Sequence, residues 1–212
     1  MEVKYIDIVL EAGDEKDAVE RIIHAIHKFN ALRRIDLRDG SFTYPLAWSL
    51  PRFQEAQISE AGKLLALPQC GSMIRVFGSP DLLREYAGAN IVAKLSRLGA
   101  AQVSEPQSIP NDAGAERFCR DRSLERMQPN NARARREKQR EIERAGSYEY
   151  RPTKKEIQTA VVRFEMTSES NKEKSPVFLL DVRRSPGMEI QAWFSKTSSY
   201  GLCIGQSSVP KF

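Results

Sequence analysis

The sequence predicts an α+β protein built from two unequal parts. Three observations carry this reading: the order of hydrophobic patterns along the N-terminal half, a break in composition near residue 105, and an arginine-rich helical stretch followed by strand patterns beyond it. Val3–Leu10 (VKYIDIVL) alternates apolar and polar side chains, as a half-buried strand does. Asp14 opens a helix running to about Asn30 and is its expected N-cap. Val19, Ile22, Ile23, Ile26 and Phe29 recur at helical spacing and make its core face. Arg38–Tyr44 holds the turn pair Asp39-Gly40 and then a short strand ahead of Pro45. Ser72–Phe77 (SMIRVF) is a further strand, and Ser79 caps a helix that starts at Pro80, proline being favoured at the first helical position. A helix or strand precedes Gly99, and Ala101–Val103 is a short strand. Strand–helix–strand–strand–helix–strand is the ferredoxin-like order, assigned to residues 1–104.

Glu105–Gly114 (EPQSIPNDAG), with two prolines, a glycine and several polar residues, marks residues 105–116 as a linker. Residues 117–212 form the smaller C-terminal domain, with the arginine-rich helix and a short antiparallel sheet. The segments Thr159–Thr167, Val177–Arg183, Glu189–Phe194 and Tyr200–Ile204 read as its strands.

Composition bounds the function. The 212 residues are 41% hydrophobic and 29% charged, which fits a folded soluble protein. No apolar run approaches the ~20 residues of a membrane span. The N-terminal MEVKYIDIVL has no basic flank or cleavage signal, so a cytoplasmic protein without membrane association is expected. Cys70, Cys119 and Cys203 are far apart and form no C-x-x-C pair, so each reads as an apolar filler or a free thiol rather than a zinc ligand. There is no G-x-S-x-G, no phosphate-binding glycine loop and no acidic metal-ligand cluster, and no metal or cofactor is expected.

The charge is unevenly placed. Between Arg117 and Arg144, ten basic residues face five acidic ones, an excess equal to the net +5 of the whole chain. Nine of the ten are arginine, the side chain suited to bidentate contacts with phosphate and base edges. Asn130 or Asn131 caps a helix that Gly146 ends. At about 100° per residue, Arg133, Arg136, Arg140 and Arg144 fall on one stripe, and Arg135 and Lys138 lie opposite. Few apolar residues interrupt them, so the helix is either a solvated face laced with salt bridges or a grip on a polar partner. Stacking aromatics are scarce in this segment, which favours a structured, phosphate-lined RNA over a single strand.

Only two histidines are present. On the first helix His24 projects away from the core face, toward solvent, while His27 sits at its flank, where an imidazole is either half-buried packing or a working group held at the edge of water. Ser168 and Ser170 lie two apart and share a side on a strand. Tyr200 follows a serine- and threonine-rich run.

Together these features resemble a known family, the CRISPR-associated endoribonuclease of the type I-F systems. The resemblance rests on KYIDIVL, IHKFNAL late in the first helix, the central arginine-rich stretch, SES before a strand, SYGL near the end, and the terminal Val209-Pro210-Lys211-Phe212. It implies the ferredoxin-like domain and a smaller domain with the arginine helix. It also implies metal-independent cleavage at the 3′ base of a repeat stem-loop by attack of the RNA's own 2′-hydroxyl, with the product guide RNA retained. By the same resemblance His27 is the catalytic histidine, Ser168 the substrate-positioning serine, Ser170 the second serine, Tyr200 the active-site tyrosine, and Phe178 a phenylalanine that packs on RNA. The family reads two base pairs at the stem foot with an Arg-x-Gln pair, which here becomes Arg120-Asp121-Arg122. Arginine reads guanine and glutamine suits adenine, so Arg122 implies a different pair. Further departures are the longer loop after Ser170 (NKEKSP) and a terminal Lys211-Phe212 in place of an aromatic pair. The implied partners are the repeat-RNA stem-loop and other subunits of a type I-F surveillance complex. A non-catalytic hairpin-binding subunit and a DNA-binding protein are the competing readings.

Overall fold

The computed structural model describes residues 2–11, 15–61, 63–122, 160–167, 177–187 and 196–212. In chain order the elements are β1 (Lys4–Leu10), α1 (Glu15–Ala31), β2 (Ile35–Asp36), β3 (Phe42–Thr43), β4 (Ala47–Ser49), β5 (Gln57–Ile58), β6 (Leu64–Ala66), β7 (Met73–Gly78), α2 (Pro80–Ala87), α3 (Asn90–Arg97), β8 (Ala101–Val103), β9 (Gln107–Ser108), β10 (Gly114–Arg120), β11 (Val161–Thr167), β12 (Val177–Pro186) and β13 (Val209–Lys211). The protein is α+β, as the sequence predicts.

The first sheet has the order β4-β7-β1-β8, every described pairing antiparallel, with β9 added beside β1. With α1 after β1 and α2–α3 between β7 and β8, this is the ferredoxin-like arrangement. Strand pleating sends Ile6 and Ile8 to one face of β1, opposite Val76 and Ile74 of β7. These four join Val19, Ile22, Ile23 and Ile26 of α1 in one buried cluster. The α1 stripe therefore faces inward because its apolar residues recur at i+3 and i+4. The stripe does not end in an apolar residue. Asn30, four residues beyond Ile26, continues it and is fully buried.

The second sheet has the order β11-β12-β10-β13, again antiparallel. β10 begins at Gly114, and its alternation places Glu116 and Phe118 on the buried side. Arg117 and Arg120, part of the arginine-rich segment by sequence, thus stand on a strand. The two sheets share a core: Phe118 packs 5.8 Å from Trp48 and edge-on at 6.3 Å against Phe53. Helix α1 also reaches the second sheet, where the Glu20 carboxylate accepts the Glu165 backbone N–H of β11 at 2.8 Å.

Several expectations need correction. Tyr200–Ile204 is not a strand. Gly201 has φ +73 and donates to the Ser198 carbonyl at 2.8 Å, so the chain turns there and keeps only an isolated bridge between Thr197 and Cys203. The segment before Gly99, open between helix and strand by sequence, is the helix α3. His24 does not project freely to solvent. It is half-buried and lines a hollow with Glu20, Glu165 and Val177, because β11 and β12 pack beside α1, which periodicity within one helix cannot reveal. The Asp14 cap, the arginine helix and the Glu189–Phe194 strand lie outside the described residues.

At Gly201, as at Gly71, a positive φ and close packing coincide. A Cβ at Gly201 would lie 2.6 Å from Trp48 Cδ1 and 3.2 Å from Ile26 Cγ2, whereas one at Gly40, with φ +76, would meet open space. Gly40→Ala should cost about 1–2 kcal/mol for the left-handed backbone alone. Gly201→Ala should cost about 2–4 kcal/mol, because overpacking adds to it. Denaturant unfolding of the two variants measures the difference; equal losses would mean that the Trp48 contact carries no weight.

Candidate functional site

Two segments far apart in sequence meet at the end of α1. His27 lies one turn before the helix end and is half-buried, with its Nδ1 buried. Tyr200 stands in the turn between Lys196 and Cys203. The two rings stack face to face, 4.0 Å between centroids and 5° from parallel. Phe178, at the start of β12, meets Tyr200 edge-on at 6.0 Å and 74°. Arg120 stands opposite Val182 in the β10–β12 register, on the same sheet face as Phe178, and its guanidinium lies 6.0 Å from the Phe178 ring. Of the residues singled out by sequence, the structure brings together His27, Tyr200, Phe178 and Arg120. Arg122 is exposed, two residues beyond Arg120. Ser168, Ser170, Arg133, Arg135, Arg136, Arg140 and Arg144 lie outside the described residues.

The turn that carries Tyr200 is held by the N-terminal part of the chain. The Asn30 carboxamide donates to the Ser199 carbonyl at 3.2 Å and to the Leu46 carbonyl at 3.0 Å, and its Oδ1 accepts the Leu46 N–H at 3.1 Å. Trp48 Nε1 donates to the Tyr200 carbonyl at 2.5 Å, and Trp48 N–H to the Gly201 carbonyl at 3.3 Å. Thr197 N–H donates to Thr43 Oγ1 at 2.9 Å, and Thr197 Oγ1 donates to the Tyr44 carbonyl at 2.6 Å. From the second sheet, the Phe118 carbonyl accepts the Cys203 N–H at 2.9 Å. Asn30, Trp48 and Thr197 were not singled out from sequence. For Asn30 a signal existed: a polar residue on the apolar stripe of α1.

Electrostatics sort the groups at this site. Burial pushes the Tyr200 phenol above its ordinary value, and the Arg120 charge opposes this only in part. The phenol therefore stays protonated near neutral pH. Asp121, between Arg120 and Arg122, is buried and paired with Arg183, Nε to Oδ2 at 2.8 Å, and its N–H donates to the Asp181 carbonyl at 2.7 Å. This pins the stretch from Arg120 to Arg122 at the rim of the sheet. A hydrogen bond with Cys203 pulls the Cys119 thiol down, with Arg117 adding to it, and pushes the buried Cys203 thiol up; Cys70, Cys119 and Cys203 are all free thiols. Among the described residues no group of three or more His, Cys, Asp or Glu side chains is placed to hold a metal ion, and no helix is long and apolar enough to cross a membrane.

A family model described as CRISPR-associated protein (Cas_Csy4) matches residues 5–212, nearly the full length. No curated protein matches the chain.

Proposed function

As the chain belongs to the Cas_Csy4 family of CRISPR-associated proteins, we propose that it is the endoribonuclease that processes CRISPR repeat RNA. It binds the repeat stem-loop, cuts at the 3′ base of the stem and stays on the mature guide RNA. The observation that carries the catalytic part is the flat stack of His27 on Tyr200, a half-buried imidazole held in one orientation beside a cationic strand end.

The reaction needs a base, a fixed substrate and charge stabilisation. The His27 imidazole takes the proton of the 2′-hydroxyl, and that oxygen attacks the adjacent phosphorus. The bond to the 5′-oxygen breaks and that oxygen takes a proton from water as it leaves, so the product ends in a 2′,3′-cyclic phosphate. Both nucleophile and base are supplied without a metal. Tyr200 restricts rotation of the imidazole by lying against its face. Ser168 holds the 2′-hydroxyl, with Ser170 beside it, and Phe178 packs against RNA. Arg120 and Arg122 read the pairs at the stem foot, and Arg133, Arg135, Arg136, Arg140 and Arg144 grip the stem. The other subunits of a type I-F surveillance complex are its protein partners, and the cytoplasm is its compartment.

In single-turnover assays on a repeat hairpin in EDTA, His27→Ala should slow cleavage by roughly 10²–10⁴-fold, the usual contribution of a general base, and leave hairpin affinity unchanged. A 2′-deoxy substitution at the cleaved nucleotide should stop cleavage and spare binding. Undiminished cleavage by His27→Ala would move the base elsewhere. Cutting of the deoxy substrate would demand a water nucleophile, and binding without any cleavage would leave a hairpin-binding subunit.

Charge reversal at Arg136 and Arg140 together should weaken hairpin binding and flatten its dependence on salt, because fewer phosphate counterions are released. Filter binding across a salt series measures both quantities. Wild-type affinity with a wild-type slope would make the arginine helix a solvated face.

A further inference from the structure

We infer that Asn30 is the positioning residue of the His27–Tyr200 pair: its buried carboxamide holds the Ser199 carbonyl and so sets Tyr200 flat against the imidazole. The catalytic consequence rests on the nuclease reading above; the geometric one does not.

Asn30 follows His27 by three residues on α1, so the two side chains leave neighbouring positions on the same side of the helix. The site they share is the turn at 196–203. Asn30 occupies a core position that the i+3, i+4 stripe would ordinarily give to an apolar residue, and it has 0% exposure. A carboxamide is tolerated there only if its groups are paired. They are: both amide protons go to carbonyls, of Leu46 and Ser199, and the oxygen takes the Leu46 N–H. This partner set also fixes the amide's orientation, since two carbonyls must meet the NH2 side and one N–H the oxygen.

The bonds join three segments: α1, the entry to β4, and the turn one residue before Tyr200. Trp48 holds the same turn to the sheet through the Tyr200 and Gly201 carbonyls. The Asn30 bond is of a different kind, because it comes from the helix that bears His27. It therefore fixes Tyr200 relative to the imidazole and not merely relative to the sheet. Without it the turn keeps its attachment to β4, but the distance from ring to ring is no longer set.

The test uses the full chain and two readouts. With only two histidines present, proton NMR resolves both imidazoles, and His24→Gln assigns them. In the wild type the Tyr200 ring current shifts the His27 ring protons upfield. Asn30→Asp keeps the volume and the acceptor for Leu46 N–H but removes the amide donors. It should move the His27 signals in the same direction as Tyr200→Leu does. Single-turnover cleavage in EDTA should fall on the order of 10–100-fold, as for a misplaced catalytic group, with hairpin affinity unchanged. The Asn30→Asp, Tyr200→Leu double variant should be no slower than the slower single, since both act through one contact. Should Asn30→Asp fail to fold, Asn30→Gln, which displaces the carboxamide by one methylene, carries the same readouts. A folded Asn30 variant with wild-type His27 signals overturns the inference, and so do losses that multiply in the double variant. If the wild type itself does not cleave, the nuclease reading fails while the His27 signals still decide the role of Asn30.

Discussion

One buried carboxamide ties the C-terminal turn to the helix that bears His27 and to the entry of β4. Removing the Asn30 side chain would strand the buried carbonyl and N–H of Leu46, each costing about 1–3 kcal/mol, and free the half-buried Ser199 carbonyl, against a total stability of only about 5–15 kcal/mol for an ordinary domain. Because the same carboxamide sits one turn from His27, the requirement for satisfied polar groups in the core is also a requirement on the site. The far end of the chain is tied down by a second buried polar group. Arg75, 6% exposed, is bidentate to Asp7 at 2.7 and 2.9 Å and donates to the Phe212 backbone oxygen at 2.9 Å. Its guanidinium lies 4.5 Å from the Tyr5 ring and 4.0 Å from the Phe212 ring, and the two rings meet each other edge-on. With its donors so engaged, a buried cation is tolerated. It anchors the residue that follows β13, which pairs with β10, and β10 carries Arg120.

The positive charge of the chain divides by its partners. Arg163, Arg183 and Arg184 on the second sheet are matched by Asp181, Asp121 and Glu116. Arg117, inside the segment that carries the excess charge, donates to the Gly205 and Ser207 carbonyls and so secures the turn before β13. It is a structural arginine. Arg120 and Arg122, proposed to read the stem foot, flank Asp121, whose buried carboxylate pairs with Arg183 and whose N–H donates to the Asp181 carbonyl.

Sequence periodicity made the N-terminal fold legible. The β1 alternation and the α1 stripe are local patterns imposed by one buried face, and both stand in the structure. The family features were legible too, because IHKFN and SYGL carry them in short motifs. The Tyr200–Ile204 segment misled, since Gly201 turns the chain with positive φ for reasons of contact with Trp48, a residue far away in sequence. β10 was hidden for the opposite reason: its alternation is written in Glu116, Phe118 and arginines, and high charge masks a half-buried strand. Asn30 was read as the end of a helix. Its meaning lies in carbonyls of Leu46 and Ser199, partners that no helical pattern encodes.

The most direct test is a structure of this chain with a repeat hairpin whose cleaved nucleotide lacks its 2′-hydroxyl. The 2′-carbon should lie beside the His27 imidazole, near enough for the missing oxygen to fall within about 3 Å of it, while Tyr200 keeps its stack and Arg120 faces the stem foot. A scissile phosphate bound away from α1, with His27 still closed beneath Tyr200, would contradict the assignment of this site to RNA cleavage.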